Sequence, residues 1–327
     1  MMDQLYRLRL RPRGAWRTPW QADTLIGSLC WQCVRLEGEE VLRTELIEPM
    51  LAGSPPFVLS DAFPGDFLPI PLSLRLIDWP LEERKTVNKA GWLRFETFRR
   101  ACNGAELELS DLITDSPIVQ SDQTRNTLDR LSDTTGEEGS LFTLPEYRLI
   151  PTGLRDIGVD WISIYLRVRP GARDLLLDLF EELANVGFGA DVSVGKGAFE
   201  FYSGFPELEP VELDTQNNRT VDTKSVVVLS TFQPGRNDPT EGLWETFVKF
   251  GKLGPGLTER RVDKHPLLLM RPGAVISGMP MNTPFLGRAI PMDEVLDRET
   301  VAELRSRGVE IIHPAFGLTI PADLRLP

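Results

Sequence analysis

A chain of 327 residues, 41% hydrophobic and 26% charged, is long enough for two domains or one with a large insertion, and too apolar to be disordered throughout. Its formal net charge of −12 argues against indiscriminate adhesion to nucleic acid by the whole surface. Three cysteines, no apolar run of about 18 residues and no apolar segment at the N-terminus speak against a disulfide framework, a membrane span and a secretory signal, and favour a cytoplasmic protein.

LYRLRLR at 5–11 alternates Leu8 and Leu10 with Arg7, Arg9 and Arg11, the period of a strand with one buried and one basic face. Residues 1–35 hold six arginines against two aspartates. TPWQ at 18–21 reads as a capping signature, with Thr18 as N-cap, Pro19 at the first helical position and Gln21 at the third. Leu25, Ile26, Leu29, Cys30, Cys33 and Val34 then recur at helical spacing and predict a helix over 19–36. Cys30 and Cys33 share its apolar stripe, and the two histidines, His265 and His313, are remote. Buried cysteines are therefore expected rather than a zinc site.

Residues from about 78 to 150 are polar and loop-rich and predict an insertion. Within it, 83–100 mixes Arg84, Lys85, Lys89, Arg94, Arg99 and Arg100 with Trp92, Phe95 and Phe98. That mixture suits phosphates and stacked bases, and equally a helix with a solvated basic face. A stretch at 103–122 carries five acids and no base, and TRNTLDR at 124–130 places Arg125 and Arg130 about Asn126. WISIYLRVR at 161–169 is a second strand, GARDLLLDLFEELANVG a helix closed by Gly187 in an αL cap, and Phe199 and Phe201 resume strand alternation. The order is that of a βαββαβ ferredoxin-like unit over 1–205. An acidic linker over 206–222 and a second domain over 223–327 follow, the latter with a strand at 225–231, a helix at 240–250, and strands in PLLLMRPGAVISG and EIIHPAFGLTIP. The expected class is α+β.

GFGADVSVGKGAFEF at 187–201 approaches a nucleotide-binding loop without matching one. A Walker loop needs Ser or Thr after its lysine to meet Mg²⁺, but Gly197 follows Lys196, and Ala190 stands where the upstream glycine belongs. The dinucleotide pattern fails at Val192, and the loop joins helix to strand, the reverse of both fingerprints. Glycines also let a phosphate approach backbone amides, so beside the arginine strand the loop suits a nucleic-acid backbone clamp, with a plain long turn as the alternative. Trp16, Trp20 and Trp92 are candidate base-stacking platforms. Histidine-based acid–base catalysis has no residue to use in the first domain; carboxylate catalysis stays open.

TPWQADTLIGSLCW (18–31), RNTLDRLSDTTGEEGSLFT (125–143), GFGADVSVGKGAFEF and PFLGRAIP (284–291), in that order, resemble the signature stretches of the RAMP superfamily of CRISPR proteins, and within it the fourth subunit of the type III-A (Csm) effector. The resemblance spans nearly the whole chain, with T-P-W before D-T-L-I-G as its most discriminating part. It implies two ferredoxin-like, RRM-related domains that bind the 5′ handle of the guide RNA and, through the guide, meet target RNA. It also implies docking to the large Cas ten subunit and to the backbone subunit lining the guide, in antiviral defence. Neither catalysis, cofactor nor metal is expected of this chain.

Carried over, Gly187, Gly189, Ser193, Gly195, Lys196 and Gly197 form the RNA-backbone loop, with Val194 departing from the small or polar residues usual there. Thr18, Gln21, Asp23 and Thr24 mark the helix start facing the handle, and Arg17 and Trp20 beside them belong to the RNA-binding set. Arg125, Asn126 and Arg130 lie in a thumb-like hairpin, and Lys85, Lys89 and Arg288 complete the RNA-binding set. The open alternatives are a RAMP endoribonuclease that processes repeat RNA, the equivalent subunit of a type III-B complex, and a nucleotide-dependent enzyme.

Overall fold

Strand β1 (Tyr6–Pro12) alternates buried Leu8 and Leu10 with half-exposed arginines, as its period-2 sequence dictates. It leads to α1 (Ala22–Glu37), which buries Leu25, Ile26, Leu29 and Cys33, and to β2 (Phe57–Pro64). The structure, a computed structural model, describes residues 4–126, 128–129, 134–135, 141–213, 225–254, 257, 263–279 and 283–326. Where an insertion is expected, it has a helix α2 (Phe95–Cys102) and a hairpin of β3 (Ile118–Asn126) and β4 (Leu141–Leu149), paired without slip from Ile118–Leu149 to Asn126–Leu141. Strand β5 (Ile162–Val168), helix α3 (Arg173–Val186) and strand β6 (Phe199–Phe201) follow.

The first sheet runs β6-β1-β5-β2, antiparallel throughout, with α1 between β1 and β2 and α3 between β5 and β6. Over the described part of the expected linker, the chain does not leave this sheet. Glu209–Pro210 pairs with Tyr6 and Arg7 of β1, and Leu213 is buried; residues 214–222 lie outside the described residues.

The second half contributes β7 (Ser225–Val228), β8 (Gly242–Leu243), β9 (Thr246–Lys249), β10 (Leu267–Met270), β11 (Ala274–Ser277), β12 (Phe285–Pro291), helix α4 (Arg298–Ser306) and β13 (Ile312–Ala322). Its main sheet is ordered β8-β11-β7-β13-β12, and β9 and β10 form a separate hairpin. This corrects the helix expected over 240–250. Phe247 pairs across the hairpin with buried Leu269 and lies beneath the Arg271 guanidinium, 4.6 Å from its ring centre, so cross-strand packing overrides the helical spacing of Trp244, Phe247 and Val248.

One core serves both main sheets. Leu8, Leu10, Leu59 and Leu166 of the first belong to the same buried cluster as Val227, Phe316, Leu318 and Ile320 of the second. Backbone bonds cross the seam: the Asp61 amide donates to Leu229 O at 3.0 Å. Ser230 Oγ donates to Leu59 O at 2.7 Å and accepts from the Leu318 amide at 2.8 Å. Among the described residues no helix is long and apolar enough to cross a membrane.

Ser230→Ala strips two buried backbone groups of their partner, so a loss on the order of 1–3 kcal/mol is expected. Because the core is continuous, thermal unfolding followed by tryptophan fluorescence and by far-ultraviolet circular dichroism should shift down together, in one transition.

Candidate nucleic-acid interface

Three stretches distant in sequence meet at the glycine-rich loop. The segment before α1 is zipped to the β3–β4 hairpin by two backbone bonds, Trp16 N to Tyr147 O at 3.0 Å and Tyr147 N to Trp16 O at 2.8 Å. The same segment is zipped to the loop, with Gly197 N donating to Ala15 O at 3.0 Å and Arg13 N to Ala198 O at 2.8 Å. Thr18 is not the N-cap of α1. Its hydroxyl instead accepts from the Ala190 amide at 2.9 Å, holding the loop from outside.

Two glycines are required by shape. A Cβ on Gly197 (φ +68°) would fall 1.9 Å from Phe188 O, and one on Gly189 (φ +88°) would fall 2.5 Å from Thr18 Cβ. Gly187 has positive φ but ψ of 161°, so it ends α3 without the αL cap expected of it. Between them Asp191 takes the left-handed conformation at φ 65°, the one described non-glycine residue with positive φ. Aspartate tolerates that region better than most side chains.

The amides of Phe188, Ala190, Val194, Gly195, Lys196 and Gly197 donate within the chain, so these six are already used in shaping the loop. Arg17 Nη1 and Arg125 Nη1 converge on one oxygen, Asp191 Oδ2, at 2.5 and 2.8 Å. The hydrogen bond from Arg17, helped by both guanidinium charges, holds the Asp191 carboxyl below its ordinary range. Lys196 Nζ turns inward to Glu146 Oε2 at 2.6 Å, and Glu146, on β4, is fully buried and also meets Arg148 at 2.5 Å. The lysine bond first, then the arginine bond and both charges, hold that carboxyl low against its burial. Gly189, Ser193 and Gly195 lie exposed on the rim.

The other expected contacts are placed elsewhere. Trp16 and Trp20 are buried, Trp20 against Phe188 and Phe199, and Trp92 packs on Phe63, so these rings serve the core rather than bases. Lys85 and Lys89 lie exposed on the short helix Arg84–Lys89. Arg288 is held by both oxygens of Glu294, at 2.8 and 2.6 Å, and by Gln233. Asn126 ends β3, and Arg130 lies outside the described residues. The basic face of β1 is neutralised in place: Arg7 pairs with Asp66 and Glu209, Arg9 with Glu209, Arg11 with Asp160 and Glu200, and Arg13 with Glu200.

The start of α1 faces the second half of the chain instead of solvent. Helix α1 begins at Ala22, with Gln21 as an N-cap whose side chain makes no capping bond. The cap comes from β2, where a register shift between Leu59 and Ala62 turns out Asp61. Asp61 Oδ1 accepts from Ala22 N at 2.9 Å and Thr231 N at 2.7 Å, and Oδ2 from the Thr231 hydroxyl at 2.7 Å. Complete burial pushes its carboxyl up to about 6 despite these three bonds.

Asp23 is also buried, with Lys249 Nζ at 2.8 and 2.7 Å from its two oxygens, while the same Nζ donates to Gln21 Oε1 and Thr24 Oγ1. Burial opposes its charge, yet contact with His313 and the Lys249 charge bring its carboxyl down to about 2. His313 Nε2 lies 3.0 Å from Asp23 Oδ2 without the alignment of a hydrogen bond, and burial lowers the imidazole's own pKa, so Lys249 is the fixed cation on Asp23. Cys30 and Cys33 are free thiols whose burial pushes them up to about 12 and about 11, which suits packing rather than chemistry. Among the described residues no group of three or more His, Cys, Asp or Glu could hold a metal ion.

No family model and no curated protein matches the sequence. Solved structures do. A chain of a Csm1–Csm4 cassette in complex with pppApA is 20% identical, with 99% of each chain covered and a TM-score of 0.60. A chain of the same kind of cassette with cA4 is 19% identical at the same coverage, with a TM-score of 0.61. A chain of a Csm3–Csm4 subcomplex from the type III-A CRISPR-Cas interference complex is 11% identical, covers 98% of this chain and 99% of its own, and has a TM-score of 0.62. The chain therefore shares the fold of these chains over its whole length. Csm4 is the subunit named in both kinds of complex, and the likeness extends through the hairpin and the second half rather than stopping at the first sheet.

Two outcomes test this geometry. Gly197→Ala forces a Cβ into the Phe188 carbonyl and should cost at least about 2 kcal/mol, read as a lowered midpoint of urea unfolding. Asp61, with its folded-state pKa raised, stabilises the fold fully below about pH 4 and loses that increment as pH rises through about 6. Asp23, with its own lowered, contributes above about pH 4 and fails only towards pH 2. Asp61→Asn should therefore flatten the stability profile between pH 4 and 6 by on the order of 2 kcal/mol, and leave the loss towards pH 2 in place.

Proposed function

We propose that the chain is a non-catalytic subunit of a type III-A effector, a cytoplasmic ribonucleoprotein of antiviral defence. It holds the 5′ handle of the guide RNA at the glycine-loop interface and, through the guide, comes to lie beside target RNA. It links a Csm1-type large (Cas ten) subunit to a Csm3-type backbone subunit. The observation that carries this reading is the likeness over whole chains to structures named for Csm4 assembled with each of those partners.

The site is compatible with it. Arg17, Arg125 and a glycine rim from three segments face one place, as positioning of an RNA backbone requires, and exposed Phe142 stands opposite Arg125 on the hairpin. The non-catalytic part of the reading rests on chemistry. The first half lacks histidine, and His313 and Lys249 are both packed on Asp23 within the fold.

Coexpression with a Csm1-type and a Csm3-type subunit and a guide transcript should yield one particle from which this chain, both partners and RNA elute together. Elution of this chain apart from both partners would sink the assignment. Incubated alone with repeat RNA, the protein should leave it intact; specific cleavage would favour the processing endonuclease instead.

A further inference from the structure

Two guanidinium groups closing on a single carboxylate oxygen are an anion site with its anion already in place. Arg17 arrives from the segment before α1, Arg125 from the hairpin and Asp191 from the loop, so the contact also fastens those three segments together. Among the described residues two cations face one anion. The match is incomplete as well. Arg17 reaches the carboxylate through Nη1, and among the described residues its buried Nε makes no hydrogen bond. An arginine fork is fully used when Nε and an Nη meet two oxygens side by side.

We propose that Arg17 and Arg125 form a phosphodiester site that Asp191 occupies in the free protein, and that RNA binds by displacing the Asp191 carboxylate with a backbone phosphate. This rests on the reading of the loop as an RNA interface, and adds to it the residues and the competitor. A phosphodiester offers two non-bridging oxygens that Nε and Nη1 of Arg17 meet side by side, one of them shared with Arg125. The route in is open. The Asp191 and Arg125 side chains are 27% and 32% exposed, Arg17 is 11% exposed beneath them, and the neighbouring rim is Gly189, Ala190 and Ser193, with exposed Val194 its one larger described side chain.

The loop's other ion pair does not share this behaviour. Glu146 is fully buried, so moving Lys196 to a phosphate would strip its Oε2 of its cation and leave the carboxylate to Arg148 on Oε1 alone. Lys196 is thus the structural cation of the loop, and Arg17 and Arg125 are the exchangeable ones. Displacement also favours extended over isolated contacts: a single phosphate must outcompete an anion tethered at the site, whereas an RNA held at neighbouring points does so more readily.

Asp191→Asn removes the competing charge and keeps a residue suited to the left-handed backbone, and Asp191→Gly does the same without any side chain. Each full-length variant is titrated with a fluorescently labelled single-stranded oligouridine over a series of salt concentrations. Both variants should bind roughly tenfold more tightly than the wild type, and their log–log salt slope should steepen by up to about 0.7 for each arginine that gathers counterions once Asp191 is gone. Arg17→Met and Arg125→Met should each weaken binding.

Unchanged affinity in both Asp191 variants, with the arginine variants weakened, overturns the displacement while leaving an RNA interface at the loop. Wild-type binding that neither arginine substitution alters overturns the site itself. An absence of binding in every protein, the Asp191 variants included, overturns the RNA reading together with the inference.

Discussion

A buried carboxylate with three donors, Asp61, holds the molecule to its shape. It terminates α1, fixes Thr231 at the end of the β7 segment and lies where the first sheet meets the second. A carboxylate in such a place is stabilised by the helix N-terminus and by its hydrogen bonds, yet opposed by desolvation, and the balance leaves it close to protonation near neutrality. Around it the remaining polar residues of the seam fall into place. Lys249 gathers Asp23, Gln21 and Thr24, and Ser230 stitches Leu59 to Leu318. The start of α1 is therefore a joint between halves, and the loop interface is carried on whichever orientation that joint imposes.

Charge is handled by local compensation. The four arginines of β1 and its continuation face Asp66, Asp160, Glu200 and Glu209, and Tyr202 lies under Arg9 and Arg11 at 4.7 and 4.8 Å from the ring centre. Exposed pairs of this kind contribute little to stability individually. Their effect is to remove a positive field that would otherwise attract any polyanion along the sheet.

Much of the first sheet is legible in the sequence because its signals are local. The period-2 runs at 5–11 and 161–169 and the 3.6-residue stripes of α1 and α3 need no partner to be recognised, and they emerge within a few residues of the expected bounds. The loop is legible too, since Gly189 and Gly197 occupy positions that exclude a side chain.

What escapes is whatever depends on a distant partner. Thr18 has every local feature of an N-cap, yet Asp61 supplies the cap from another strand and Thr18 turns to Ala190. Trp20 resembles a stacking platform until Phe188 and Phe199 close over it. Residues 240–250 have helical spacing, but Leu269 lies opposite Phe247. The partners of the cations, Asp191 for Arg17 and Glu146 for Lys196, are 174 and 50 residues away, and no short-range pattern announces them. Asp191 alone left a trace: an aspartate among glycines is a residue able to take positive φ.

The position of β1 has a consequence for synthesis. Its sheet neighbours are β5 and β6, so during synthesis this strand waits for residues 162–201 before either edge is covered. Contacts of such sequence separation form slowly, and a bare apolar strand is a template for wrong pairing in the meantime. Alternating arginines along one face protect that strand while it waits: mutual repulsion keeps nascent copies apart until the acids of later segments arrive to neutralise them.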